Sequence, residues 1–199
     1  MSDTEQHAEI QVPDHIYEVF SKSRCLYTRS YIEDAIDKMA TAMSYKLATK
    51  NPVFVCVLVG GIMTLGNLLP RLNFPLQVDY IHATRYRGDM IGKDLQIKSE
   101  PQMDLKNRTV VIVDDILDDG ITLHAIKDYC KEKGAREVYT AVLVDKDHPR
   151  HKAGLKNADF SGLIVDDHFI FGYGMDYSNY LRNAPGIYVV APEHETIAD

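Results

Sequence analysis

The stretch that most limits how this chain can fold is Thr109 to Thr122, reading TVVIVDDILDDGIT. An apolar, β-branched run leads into Asp114-Asp115, two apolar residues follow, and Asp118-Asp119 then precede Gly120. Thr109 to Val113 is continuous rather than alternating, the pattern of a parallel strand buried on both faces. From Leu123 the period changes. Leu123, Ile126 and Cys130 fall on one helical face, and Gly134 supplies a stop. The acidic residues are therefore expected in a strand-to-helix loop beyond the carboxyl end of a buried strand, which in open α/β sheets is where ligands bind.

Such a loop has definite chemistry. A helix opening at Thr122 presents free N–H groups to an anion, beside a flexible Gly120. Carboxylates repel a phosphate unless they face another part of the ligand, so Asp114 and Asp115 are expected on sugar hydroxyls or in a Mg²⁺ shell. An EF-hand fails, because Leu117 and Ile126 would stand where oxygen ligands are required. A hairpin turn at Asp119-Gly120 needs alternation afterwards, and the helical period contradicts it. A merely solvated acidic loop stays open on composition.

The 199 residues suit one domain with a substantial core, and 45% hydrophobic with 26% charged content is ordinary for a soluble protein. A formal net charge of −7 argues against nucleic acid, whose binding needs clustered Lys and Arg. An acidic protein that handles anions needs localised cations or Mg²⁺. Cys25, Cys56 and Cys130 are widely spaced and form no CxxC pair, so reduced cytoplasmic thiols are expected rather than disulfides or zinc. The first dozen residues lack the pattern of a signal peptide, and no apolar run approaches membrane-spanning length. Without an export signal, the sequon at Asn107 reads as chance.

Pro13-Asp14 opens a short helix through Phe20. Tyr31 to Ala48 is a longer helix with Ile32, Ala35, Ile36, Met39, Met43 and Leu47 on one stripe, a core face. Val53 to Leu58 is a second continuous apolar run, followed by Val59-Gly60-Gly61 and a helix over Ile62 to Leu72. This repeats the strand, glycine turn and helix order, and paired glycines let backbone N–H groups approach an anion. Leu76 to Thr84 reads as a strand, and the polar connection from Arg85 to about Asp104 is long enough for a mobile lid or disorder. Arg136 to Val144 is another strand, ending in Asp145-Lys146. His148 and His151 are spaced for neither a zincin helix nor a zinc finger and are expected at the surface. Asp159 to Arg182 is dense in aromatics that can pack a small lobe, while Phe169 can also stack on a flat heterocycle. Ile187 to Val190 closes with a strand.

The acidic stretch resembles the signature of the type I phosphoribosyltransferases, which bind 5-phosphoribosyl-1-pyrophosphate with an apolar strand, two acidic residues, a further Asp and Gly-x-Thr. Lys146 with Pro149-Arg150, and the order Asp-x-Phe-x-x-Gly-Tyr-x-x-Asp-Tyr from Asp167 to Tyr177, are similar to the hypoxanthine-guanine branch. The likeness runs from about Phe54 to Val190. It implies an α/β fold with a central, mostly parallel sheet flanked by helices, and a small hood lobe. The core would span about 30–150, the hood 1–29 and 151–199, and the lid 85–104 with Arg85 and Tyr86. It also implies transfer of ribose 5-phosphate to N9 of hypoxanthine or guanine, giving IMP or GMP and pyrophosphate, in a cytoplasmic dimer or tetramer that requires Mg²⁺.

By the same resemblance Asp118 is the proton acceptor, and Asp114, Asp115, Asp118, Asp119, Gly120, Ile121 and Thr122 hold the ribose 5-phosphate. Lys146, His168, Phe169, Ile170 and Asp176 meet the purine. Val59, Gly60 and Arg182 contact pyrophosphate, with a non-proline cis peptide at Leu58-Val59, and Asp114, Asp115 and Asp176 serve Mg²⁺. Three positions depart from many relatives: Val59 replaces Lys, Asp119 replaces Thr, and Ile121 stands where some carry Lys. An aspartate facing a phosphate is repelled, so Asp119 must turn away, pair with a cation, or alter affinity. A regulatory protein that senses phosphoribosyl pyrophosphate without efficient turnover is the alternative in another class, and a xanthine-preferring transferase the alternative within this one.

Overall fold

A computed structural model describes residues 11–85 and 95–197. The β-branched runs form the middle of a six-stranded sheet. In chain order these strands are β2 (Val53–Leu58), β3 (Gln77–Arg85), β4 (Leu95–Ser99), β5 (Thr109–Leu117), β6 (Glu137–Asp147) and β7 (Phe160–Asp166), arranged β4-β3-β2-β5-β6-β7. All neighbours are parallel except β3 and β4. Successive side chains of a strand face opposite sides, and both sides here are covered. Phe54, Cys56, Val111 and Val113 meet the helices α2 (Arg29–Leu47) and α3 (Gly61–Leu68) on one side. Val53, Val55, Val110 and Ile112 meet α4 (Ile121–Glu132) on the other, through Leu123, Ile126 and Cys130. The expected stripe on α2 is buried throughout, each large side chain worth about 2 kcal/mol of transfer free energy.

Strand order reverses between β2 and β5, whose following helices α3 and α4 lie on opposite faces. A crevice must open where two connections diverge in this way, at the carboxyl ends of those strands. The two motifs singled out by sequence, 58–61 and 114–122, flank it.

A second, three-stranded sheet joins β1 (Arg24–Thr28), β9 (Gly186–Val189) and β8 (Ile170–Phe171) in antiparallel pairs. Helix α1 (Asp14–Lys22) packs Ile16 and Val19 against Phe171, Tyr177 and Val190, a small core separate from the two around the large sheet. The Phe171 and Tyr188 rings stack at 5.5 Å. Chain ends and aromatics thus build a lobe as the resemblance implies.

Several boundaries differ from expectation. Strand β5 runs through the first acidic pair to Leu117, because β6 stays extended alongside it and pairs Asp114 with Val142 and Leu117 with Asp145. Only Asp118, Asp119 and Gly120 separate strand from helix. The helix after Gly60 ends at Leu68 and tightens into a 3-10 turn at Leu69–Arg71, where Pro70 withholds an N–H. Part of the expected lid is a strand: β4 pairs with β3, and Asp79 fixes its return by accepting the Met103 N–H at 2.8 Å. Residues Phe160–Asp166, expected in the hood, instead form the edge of the large sheet beside β6.

Candidate active site

The crevice is a cavity of about 580 Å³ over the ends of β2, β5 and β6. Its floor is the acidic pair. Asp115 is buried, Asp114 is half-buried, and the Asp115 N–H donates to Asp114 Oδ1 at 2.9 Å. Burial pushes both carboxyls above the usual carboxylate range, and for Asp114 the neighbouring Asp115 charge adds to it. Arg182 opposes this rise. Its Nη1 lies 3.9 Å from Asp115 Oδ2, its Nη2 lies 2.6 Å from Asp176 Oδ1, and Nη1 also donates to the Gly174 carbonyl at 2.6 Å.

Gly60 faces the same pair. A Cβ there would come within 2.0 Å of Asp115 Oδ2, so backbone occupies the space that a side chain would need. The Leu58-Val59 peptide is cis, as the resemblance implies. Val59 is half exposed at the cavity rim and brings no charge to it.

The turn expected to cradle a phosphate is Asp118–Gly120, followed by the start of α4. Gly120 has φ +77°, a left-handed conformation that favours glycine, and its carbonyl accepts from His124 and Leu155. Asp119 turns back on its own loop, where Oδ1 accepts the Ile121 N–H at 2.9 Å. The carboxylate thus holds one of the turn's own N–H groups, although Asp119 still lines the cavity with Gly120. Gly120 and Thr122 line the cavity, whereas the Ile121 side chain does not.

On the far side stand the groups expected to meet a flat base. Lys146 Nζ lies 3.6 Å from Asp118 Oδ1 and 3.2 Å from Asp167 Oδ1. Phe169 is half-buried and held edge-on by Tyr177 at 5.9 Å, which fixes its ring plane. Its carbonyl accepts from Val190, and Ile170 and Asp176 also line the cavity. His168 does not line it; its N–H turns back to the Asp166 carbonyl at 2.7 Å. The side chain of Arg85 and all of Tyr86 lie outside the described residues.

His148 corrects a sequence expectation. Instead of standing at the surface, its ring is mostly buried and Nε2 lies 2.8 Å from Asp118 Oδ1. Arg150 explains how it arrives there. This guanidinium pairs with Asp145 and donates to the carbonyls of Lys146 at 2.9 Å, Asp118 at 3.0 Å and Lys156 at 2.8 Å. One side chain therefore joins the β5–α4 turn to the segment after β6, bringing His148 under Asp118. Sequence also missed His82, Thr84, Lys98 and Asn179, which line the cavity. His82, Thr84 and Lys98 arrive through the pairing of β3 with β4, which no local pattern announces.

The family model for the phosphoribosyl transferase domain matches residues 26–178. The chain belongs to the phosphoribosyltransferase family. It is 32% identical to the hypoxanthine-guanine-xanthine phosphoribosyltransferase of Tritrichomonas foetus over 82% of this chain and 89% of that protein. With the hypoxanthine-guanine phosphoribosyltransferase of Streptococcus pneumoniae it shares 31% identity over 85% of this chain and 94% of the other. A solved hypoxanthine phosphoribosyltransferase from Staphylococcus aureus superposes with a TM-score of 0.82 at 25% identity, covering 93% and 99% of the two chains. The phosphoribosyltransferase fold thus extends across both lobes.

The donor set suits a hard cation in part. Asp114 and Asp115 are adjacent carboxylates whose burial and mutual repulsion a divalent ion would relieve. Asp176 is drawn onto Arg182. Among the described residues, the three-residue set whose ligand atoms converge within 4.8 Å is instead Asp118, His148 and Asp167. Lys146 already places an ammonium against both carboxylates of that set.

Proposed function

We propose that the protein transfers the 5-phosphoribosyl group of phosphoribosyl pyrophosphate to N9 of hypoxanthine or guanine, forming IMP or GMP and pyrophosphate. The observation that carries this reading is the joint placement of Asp118, Lys146 and Phe169 beside the Gly120 cradle in one cavity. A sugar phosphate seated on the N–H groups at the start of α4 presents its anomeric carbon toward the middle of the cavity. A purine stacked on Phe169 brings its six-membered-ring oxygen to Lys146 and its imidazole edge to Asp118.

As N9 bonds to C1′, the C1′–O bond to pyrophosphate breaks and the purine must lose a proton. Asp118 accepts it from N7, which is general-base chemistry on an in-line displacement. Lys146 withdraws charge from the exocyclic oxygen, favouring the ring form that carries negative charge as the proton leaves. Arg182 and the backbone at Val59 and Gly60 face the departing pyrophosphate and stabilise charge there. Mg²⁺ would be held through Asp114 and Asp115 and would neutralise charge on pyrophosphate, while Asp176 would serve a second ion only on leaving Arg182.

The relatives' names support a 6-oxopurine: all those compared take hypoxanthine. Lys146 selects an oxygen acceptor and discriminates against adenine, whose amino group can only donate there. The test is incubation with phosphoribosyl pyrophosphate, Mg²⁺ and each of hypoxanthine, guanine, xanthine and adenine. Product with hypoxanthine and guanine but not adenine is expected. Absence of product with every base would turn the reading into that of a sensor.

A further inference from the structure

Asp118 is an exposed carboxylate on a three-residue turn, with its side chain 53% accessible. A proton acceptor on so short and open a turn needs something to hold its orientation, because a misdirected carboxylate loses much of its catalytic effect. Two cationic or donor groups reach it, and both reach the same oxygen: Lys146 Nζ at 3.6 Å and His148 Nε2 at 2.8 Å from Oδ1. The imidazole is the closer and is 16% exposed. Its Nε2 is buried and off the line of any directed hydrogen bond, a condition that costs free energy unless a partner aligns. Catalytic contacts that are loose in the free enzyme commonly tighten once substrate is bound.

We propose that His148 is a positioning residue for Asp118: its Nε2–H engages Oδ1 and leaves Oδ2 for purine N7. The assignment rests on the reading of Asp118 as proton acceptor. The groups facing His148 are Asp118 from the β5–α4 turn, Asp167 from the segment after β7, and Lys146 from β6. A metal ion shared by Asp118, His148 and Asp167 is the competing use of this cluster. The Lys146 ammonium, 3.2 Å from Asp167, disfavours it by charge repulsion. Pro149 stiffens the backbone after His148, and the Arg150 clamp holds that backbone against the Asp118 carbonyl. The backbone that carries the imidazole is thus held close to Asp118, and the last alignment of Nε2 with Oδ1 is assigned to the substrate-bound state.

The experiment is steady-state kinetics with hypoxanthine on His148→Ala, His148→Gln, Asp118→Asn and the His148→Ala/Asp118→Asn double variant. His148→Ala is expected to lose roughly 10- to 100-fold in kcat, the scale of a small misplacement of a reacting group, with KM for phosphoribosyl pyrophosphate unchanged. His148→Gln keeps an N–H donor of similar reach and recovers most of that loss. The double variant falls no further than Asp118→Asn alone, because the histidine acts only through that carboxylate. Should His148→Ala fail to fold, His148→Asn replaces it, its shorter amide stopping short of Oδ1. Wild-type kcat in His148→Ala, glutamine no better than alanine, or additive losses in the double variant would each overturn the proposal. If Asp118→Asn is inactive while His148→Ala is fully active, only the positioning role falls. If Asp118→Asn itself keeps full turnover, the proton-acceptor reading falls, and positioning falls with it.

Discussion

Replacing Arg150 tests whether the site is assembled by its clamp. The guanidinium side chain is 8% exposed and its partner Asp145 is 16% exposed, so the pair is largely desolvated. Truncation to alanine strips Asp145 of its cation and frees the carbonyls of Asp118, Lys146 and Lys156. Water entering the vacated space can re-bond those carbonyls, but a stranded buried carboxylate is the larger cost, typically 3–5 kcal/mol where one partner of a buried pair is removed. Because Asp145 retains some contact with solvent, the low end applies: about 3 kcal/mol, or a fall in Tm of about 6–12 °C for a chain of this length. Arg150→Lys keeps the charge near Asp145 but cannot span three carbonyls with one ammonium, so stability recovers by roughly half. Its kcat should recover less than its stability, since the Asp118 turn is no longer tied to the β6 segment. Urea unfolding at neutral pH, with the slope unchanged between variants, gives the stabilities, and initial rates with hypoxanthine give kcat. A loss under about 1 kcal/mol in Arg150→Ala together with unchanged kcat would falsify the clamp.

Gly60→Ala places a methyl 2.0 Å from Asp115 Oδ2 and should abolish turnover while the large sheet still folds, as judged by far-UV circular dichroism; an active variant would show that the turn has room to spare. Asp114→Asn removes a carboxyl held above its usual range. A raised folded value means that stability present below about pH 3.8 is lost as pH rises through that value, so the variant should melt higher than wild type near pH 8 without Mg²⁺, and the gap should close on acidification. Equal melting curves across pH would contradict the electrostatic account. Glu137 has the opposite sign: Lys50 at 2.7 Å and Thr109 at 3.0 Å hold it down at about 2. Its contribution is present above about 4.5 and disappears as pH falls through about 2, so Glu137→Gln should flatten the acid limb of a melting profile in that window.

What was legible in the sequence is what depends on local period. Strand β2 and the first half of β5 are continuous apolar runs, and the stripes of α2 and α4 show the helical spacing that the structure buries. Two glycine-bearing strand-to-helix turns were enough to locate the crevice, because both follow the carboxyl ends of parallel strands and so lie at the same end of the sheet. Strands β1 and β4 were not legible. Arg24–Thr28 pairs with Gly186–Val189, some 160 residues distant, and nothing within five residues selects that partner. Leu95–Ser99 is short and amphipathic inside a charged connection, and becomes a strand only because β3 offers it an edge.

The same distinction between local and distant information explains the site. Asp114 and Asp115 at the end of β5, Gly120 in the turn and Thr122 in the first turn of α4 lie within nine consecutive residues, so their convergence follows largely from chain continuity. Lys146 reaches Asp118 from the next strand over and His148 from the segment just after it, at distances set by parallel pairing of Leu117 with Asp145. Extending both strands past their apolar cores carries charged residues farther out over the crevice than the hydrophobic pattern predicts. This costs desolvation of Asp114, and it delivers Lys146 to within 3.6 Å of Asp118. A chain whose β5 ended at Val113 would keep its anion cradle in a floppier loop and leave Asp118 without neighbours. In this fold the residues of the acidic motif are therefore readable along the chain, whereas the approach of Lys146 and His148 to Asp118 depends on strand register.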